Sequence, residues 1–423
     1  MKQRVFLFVL LFLPSLLVSA ADAGADFSDW DLDTIFDNPA PEEEEDAPLE
    51  NATPVKTRQT GVTLDASYYF NGGIAPGWSK APWHWDGTED DDGYTHIIGL
   101  GMSAGVGLDF QISDVFRVKN TVSFSYPGFA LGISEFFFDY AIKNAVFIRA
   151  GKYVHNWGIS PNFQFTNLLA RVPDDASGGD SIIAKVDIPI GVGGLQVLLL
   201  NRPGFIKTGL TTPSFREIGY GAKYNLAFPW LDIDIGAFFL TAMPLRGFIS
   251  LKKTFKETEV YAEGMTSVQH SLGDHDSWGD WRFSANLGVV QDFFADKLTL
   301  NAEFFYNGEG QTGWFRPETD LRAAEVSPFI GGVNTALNLS FKPGWFKDLR
   351  FGLQFLYAFK ENTAQLVPAI AIDPLPNVMV SLAVPMALGP PEGTYYTHNA
   401  DTNNRPFSIV LLVSFSGSRA FGF

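Results

Sequence analysis

Two stretches of this sequence hold residue types that do chemistry. HSLGDHDSWGD, residues 270–280, sets His275 between Asp274 and Asp276. A histidine with a carboxylate partner could serve as a general base. WHWDGTEDDDG, residues 83–93, gathers acids, and a carboxylate cluster can hold Ca²⁺. Neither goes far as chemistry. Residues adjacent along a loop do not make a base and its orienting partner, and the acid spacing matches no EF-hand. The six histidines are scattered without metal-ligand spacing, and there is no cysteine to act as nucleophile, disulfide or lipid carrier. No glycine-rich phosphate loop and no basic patch for nucleic acid is present. The expectation is a protein that is not an enzyme and has no metal site, no cofactor and no nucleic-acid partner.

The elements around these stretches are more informative. Lys2 and Arg4 precede or open VFLFVLLFLPSLLVSA, an apolar run ending in small residues. That layout reads as a secretory signal peptide over residues 1–20, cleaved after Ala20 or Ala21. A spanning helix needs about 20 apolar residues, and no later stretch comes close. Residues 22–54 carry twelve acidic residues and no basic one, so the net charge of −17 belongs largely to this segment. From Val55 on the balance is 35 acidic to 28 basic. The Pro- and Glu-rich segment 21–57 cannot bury enough apolar surface to fold alone and reads as a solvated periplasmic linker. Within it FSDWDLDTIFD, residues 27–37, interleaves acids with Trp30, Leu32, Ile35 and Phe36, as a docking piece would.

From about Gly61 the chain alternates to its end. FRVKNTVSFSY puts Phe116, Val118, Val122, Phe124 and Tyr126 on one side, with Asn120 the exception, and Arg117, Lys119 and hydroxyls on the other. LDIDIGAF, WRFSANLGV, LTLNAEFFYN and LRFGLQFLYAF repeat the pattern. Period-2 runs mean strands with two unlike faces. A mean hydropathy of +0.04 is ordinary for such a chain, because apolar and polar faces cancel. The runs last about 9 to 12 residues, which suits a tilted strand crossing a bilayer, where soluble strands average about 5 to 6. Linkers after even-numbered strands are all short, such as QISD, IKN and AFPW. All the long ones, among them 71–93, 156–180 and 308–329, follow odd-numbered strands.

The fold class expected is all-β: a transmembrane antiparallel up-and-down β-barrel over residues 58–423, with short periplasmic turns and long outer loops. It has about eighteen strands, or sixteen if one of the short runs 195–202 and 364–371 falls away with its hairpin. Both termini are then periplasmic. The last strand, SIVLLVSFSGSRAFGF, must close against the first, with Phe415, Phe421 and Phe423 on its apolar face. Here the chain resembles the porin-like outer-membrane β-barrels of double-membraned bacteria. GKYVHNWG, residues 151–158, looks like the strand end of several porin and channel families. The resemblance implies outer-membrane lipid as surroundings and an insertion machinery that reads the last strand. It also implies a third outer loop that folds inward.

At this width side chains cannot fill the interior, so an aqueous channel for small hydrophilic solutes results unless something plugs it. Arg117, Lys119, Asp232, Asp234, Glu259, Glu263, Arg282, Glu303 and Arg350 fall on the polar face and are the pore-lining candidates. Phe163, Phe165, Arg171, Asp174 and Asp175 lie in the third outer connection and are the constriction-loop candidates. Two other readings stay open: a transporter of hydrophobic substrates with a plugged lumen, and a surface structural or adhesive barrel. Oligomeric state is not legible. Intact mass of the exported protein should place its first residue at Ala21 or Asp22; a retained leader would refute the signal-peptide reading.

Overall fold

A computed structural model describes residues 61–78, 94–126, 130–166, 182–201, 218–240, 244–268, 281–308, 332–390, 395 and 406–422, apart from 144, 154, 295, 296, 345 and 347. The leader, the acidic segment, Phe423 and the two clusters at 83–93 and 270–280 lie outside these residues.

The strands run in order: β1 (Gly61–Trp78), β2 (Tyr94–Ser113), β3 (Phe116–Tyr126), β4 (Ala130–Ile142), β5 (Val146–Lys152), β6 (Ile182–Ile190), β7 (Gly193–Asn201), β8 (Ile218–Phe228) and β9 (Leu231–Phe239). They continue with β10 (Leu245–Phe255), β11 (Thr258–Val268), β12 (Trp281–Phe293), β13 (Leu298–Tyr306), β14 (Val333–Phe341), β15 (Leu349–Ala358) and β16 (Thr363–Leu375). β17 comprises Val378–Ala383 and Met386–Leu388, and β18 comprises Phe407–Ser408 and Val410–Gly422. The sheet's 20 hydrogen-bonded segments thus make eighteen passes. β17 breaks at Val384 and Pro385, where proline has no N–H to offer the ladder. Neighbours bridge the gap: Val384 N donates to Pro368 O, and Ser408 N donates to Pro385 O. β7 is paired on both sides and so is β16, which rules out sixteen strands.

Every strand pairs antiparallel with its sequence neighbours, and β18 closes on β1 from Thr63 opposite Gly422 to Ile74 opposite Leu411. No edge is left among the described strands. The connections follow the parity read from sequence: two residues separate β2 from β3 and β8 from β9, whereas 29 separate β5 from β6.

The two faces invert the usual rule of burial. Phe136, Phe138, Leu199, Ile235, Ile249, Phe283, Leu287, Phe304, Val413, Phe415 and Phe421 stand exposed on the outside. Glu263, Asn286, Asn301, Glu303 and Asn334 are buried on the inside. A continuous apolar outer belt of this kind exceeds the patches that soluble monomers tolerate. It matches a barrel whose outer face meets lipid and whose inner face is polar. This is a transmembrane β-barrel.

Inside, aromatic rings lie flat over glycines of the next strand. The Tyr261 ring covers Gly288, Phe248 covers Gly236, and Phe238 covers Gly219. A methyl group at 288 would run into the Tyr261 ring. Gly288→Ala should therefore destabilise the barrel by about 1–3 kcal/mol, the usual scale of overpacking. Gly132→Ala, with nothing within 4 Å of the added carbon, should not. Thermal unfolding followed by gel mobility would separate the two; equal midpoints would refute the packing argument.

Candidate functional site: a paired-charge belt and an inward strap

The interior wall near the short turns carries a belt of cross-strand ion pairs. On β2 to β5, Arg117 Nη2 lies 2.7 Å from Asp109 Oδ2, and Arg117 Nη1 lies 3.7 Å from Asp139 Oδ2. Arg149 Nε meets Asp139 Oδ1 at 2.7 Å, and Lys119 meets Glu135 at 3.1 Å. Further round, Lys223 pairs with Asp234 at 3.2 Å, Lys252 with Glu259 at 2.9 Å, and Arg350 with Asp373 at 2.9 Å. Lys185 pairs with Asp187 along β6 at 3.1 Å. The register explains the pairing. Arg117 stands directly opposite Asp139, which stands directly opposite Arg149, all on one face. Opposite charges facing across adjacent strands attract, where like charges would repel.

The described start of the connection after β5 stays inside the barrel. Residues 153–166 run round the inner wall as a strap, from β4 to β14. Tyr153 packs edge-on to Phe137 of β4, with ring centroids 5.6 Å apart. His155 and Trp157 both donate to Gln196 Oε1 of β7, at 3.0 and 2.5 Å, while Gln196 Nε2 donates to Asp187. That polarity places the His155 proton on Nε2. Burial, reinforced by Lys185, lowers the His155 pKa to about 4, so the ring is neutral through the physiological range. The Trp157 indole lies over Gly221 of β8 and meets Phe248 of β10 at 5.7 Å. Any side chain at 221 would take its seat.

Two carboxylates then hold the far half of the strap. Glu263 Oε1 accepts from Ile159 N at 3.2 Å, Thr166 Oγ1 at 2.5 Å and Ser250 Oγ at 3.0 Å. Glu303 accepts five hydrogen bonds. Asn162 N and Nδ2 reach Oε1 at 2.9 and 2.7 Å. Ser160 Oγ, Phe163 N and Asn286 Nδ2 reach Oε2 at 2.6, 3.2 and 3.0 Å. Asn338 of β14 donates to Asn162 Oδ1 at 2.7 Å. Phe163 and Phe165 close on the Phe305 ring from β13, at centroid distances of 5.0 and 4.9 Å. The strap is thus sewn down by polar anchors and an aromatic sandwich. Hydrogen bonds to a charged group contribute roughly 1.5–3 kcal/mol each, and an aromatic pair about 0.5–1.5.

All nine pore-lining candidates sit on the interior face. Arg117, Lys119, Asp234, Glu259 and Arg350 are partnered within the belt. Asp232 stands at the short-turn end and Arg282 at the opposite end. Glu263 and Glu303 are not open to the bore: the strap covers them, leaving 3% and 2% exposed. Phe163 and Phe165 are buried against the wall. Arg171, Asp174 and Asp175 lie outside the described residues. Of the last strand, Phe415 and Phe421 face outward. Sequence reasoning missed Gln196, Asn286 and Asn338 as strap anchors. Their only signal was an amide on the polar face of a strand.

No family model matches this chain, and no curated protein matches it. Solved structures do. Pseudomonas aeruginosa OccK5 (OpdH) superposes with a TM-score of 0.50 at 10% identity, over 84% of this chain and 98% of that one. Pseudomonas aeruginosa OpdO gives 0.49 at 11%, over 86% and 98%. A triple mutant of the Rhodopseudomonas blastica porin gives 0.43 at 12%, over 84% and 100%. At these identities the likeness is one of fold, and the OccK5 superposition carries it.

Replacing the main anchor tests the strap. Glu303→Gln keeps the shape and removes the charge that gathers five donors. Backbone amides 162 and 163 should then exchange with deuterium about tenfold faster or more, since a lost charged hydrogen bond is worth roughly 1.5–3 kcal/mol. Unchanged exchange of a peptide covering 159–166 would show that the strap is held some other way.

Proposed function

We propose that this protein is a porin-like channel of the bacterial outer membrane, through which small hydrophilic solutes diffuse. The observation that carries this reading is the strap: a segment pinned along the inner wall of a closed eighteen-pass barrel, from β4 to β14, supports a bore narrowed on one side. A packed interior would need side chains to meet across the barrel, and at this strand number they do not reach. The paired-charge belt is what a wetted wall carries, because buried charges without water or partners are costly.

In this reading residues 1–20 direct export and residues 21–57 form an acidic segment on the periplasmic side, where both termini lie. The short turns face the periplasm and the long loops face outward, as the topology of such barrels requires. The insertion machinery engages the closing strand through Phe415, Phe421 and Phe423. Solutes pass along the inner wall beside Arg117, Lys119, Asp232, Asp234, Glu259, Arg282 and Arg350. Glu263 and Glu303 act from beneath, by holding the strap in the lumen. Arg171, Asp174 and Asp175, further along the same connection, are in this reading constriction-loop residues.

Refolding the mature chain into a planar lipid bilayer tests this. Discrete, reproducible current steps in salt are expected. Deleting residues 162–178 should raise single-channel conductance, because the strap would lose its anchors at Asn162, Phe163 and Thr166. A folded barrel that carries no current would overturn the channel reading. Equal conductance after the deletion would overturn the constriction.

A further inference from the structure

We propose that the passage beside the strap is close to electrically neutral, so that the channel admits uncharged hydrophilic solutes and discriminates little between cations and anions. This deepens the channel reading and rests on it.

Three observations lead here. First, the strap carries no fixed charge on its side chains. YVHNWGISPNFQFT, residues 153–166, contains no Asp, Glu, Lys or Arg. Its histidine is held neutral by burial and by Lys185. Second, the strap lies over the two carboxylates of the adjoining wall. Glu263 and Glu303 together accept eight hydrogen bonds, six of them from strap residues and two from the wall residues Ser250 and Asn286. Donor dipoles therefore face the carboxylates at close range, and the solute meets the strap's amides and hydroxyls instead. Third, many of the other wall charges come as close pairs. Asp109 with Arg117, Asp139 with Arg149, Glu135 with Lys119, Asp234 with Lys223, Glu259 with Lys252 and Asp373 with Arg350 are all within 3.2 Å.

Ion selectivity in pores comes from rings of like charge at the narrow point. A close pair of opposite charges is a dipole, whose field dies away faster than that of a single charge, and salt screens what is left over about 10 Å. Asp232 and Arg282, one of each sign, stand at opposite ends of the wall, and Arg246 of β10 is fully buried in it. An exposed amide marks the strap's free side: Gln164 lies between Phe163 and Phe165, which turn to the wall, and is itself exposed. A solute passing the strap meets groups that form hydrogen bonds without regard to charge sign.

The measurement is the reversal potential of the open channel of the full mature chain under a KCl gradient. The potassium-to-chloride permeability ratio should lie within about two-fold of one. A ratio of about ten or more in either direction would overturn the proposal, and would place loop charges such as Arg171, Asp174 or Asp175 at the narrow point. The variant Gln164→Asp should move the ratio several-fold toward potassium. A ratio unmoved by that charge would also overturn it, since selectivity would then be decided away from the strap. Absence of any current would fail the channel reading itself, a different result from a selective current.

Discussion

The constraint on which everything else depends is that a backbone N–H or C=O has no water to turn to inside a hydrocarbon layer. Each unpaired group there costs several kcal/mol. The sheet must therefore close, and the register between β1 and β18 does this over twelve residue pairs. Closure of an antiparallel sheet requires an even number of passes. Two faces then follow from the pleat, one turned to lipid and one to the interior. The aromatic and aliphatic outer belt, the polar inner wall and the parity of loop lengths are consequences of that one requirement.

Closure also creates a problem that soluble folds do not have. Eighteen passes enclose more volume than side chains fill, so the interior must be wet, and any segment placed there must be held against water. The strap meets this with buried carboxylates. Burying a carboxylate is costly unless it is well hydrogen-bonded, and losing one partner leaves the charge exposed to that cost. Glu303 avoids it with five donors, three of them from the backbone and side chains of Asn162 and Ser160. The strap and the carboxylate thus need each other: without the strap the wall holds an acid with few donors, and without the acid the strap's amides lack acceptors. The aromatic sandwich on Phe305 adds area at the same place and shields these bonds from competing water.

Much of this architecture was legible in the sequence, for physical reasons that also explain the gaps. A period of two survives along the strands because one face must be apolar. β1 was read as ending near residue 70, yet it extends to Trp78. NGGIAPGW looks like a loop by propensity, but Trp78 pairs with Tyr94 on one side and Phe407 on the other, and Pro76 still offers its carbonyl to Ile409 N. Pairing overrides propensity there. β16 likewise runs through Pro368 to Leu375, beyond the expected 364–371. The inward faces of Glu263 and Glu303 were legible; that they are covered was not. Coverage depends on partners such as Thr166 and Asn162, 97 and 141 positions away along the chain, and no local pattern encodes a separation of that length.

The same alternation that builds the wall also decides how its charges behave. Inward positions on neighbouring strands lie directly opposite one another, so a cation on β3 has two possible neighbours and meets acids on both, Asp109 and Asp139. A wall of this kind can be strongly charged residue by residue and weakly charged as a field. It resists collapse because it is hydrated, and the paired charges limit self-repulsion. The ladder of pairs near the turns also ties adjacent strands together where they leave the hydrocarbon. Stability of the lower barrel and neutrality of its bore are then one arrangement, while the strap higher up carries out the same compensation by a different route, with amide and hydroxyl dipoles in place of cations.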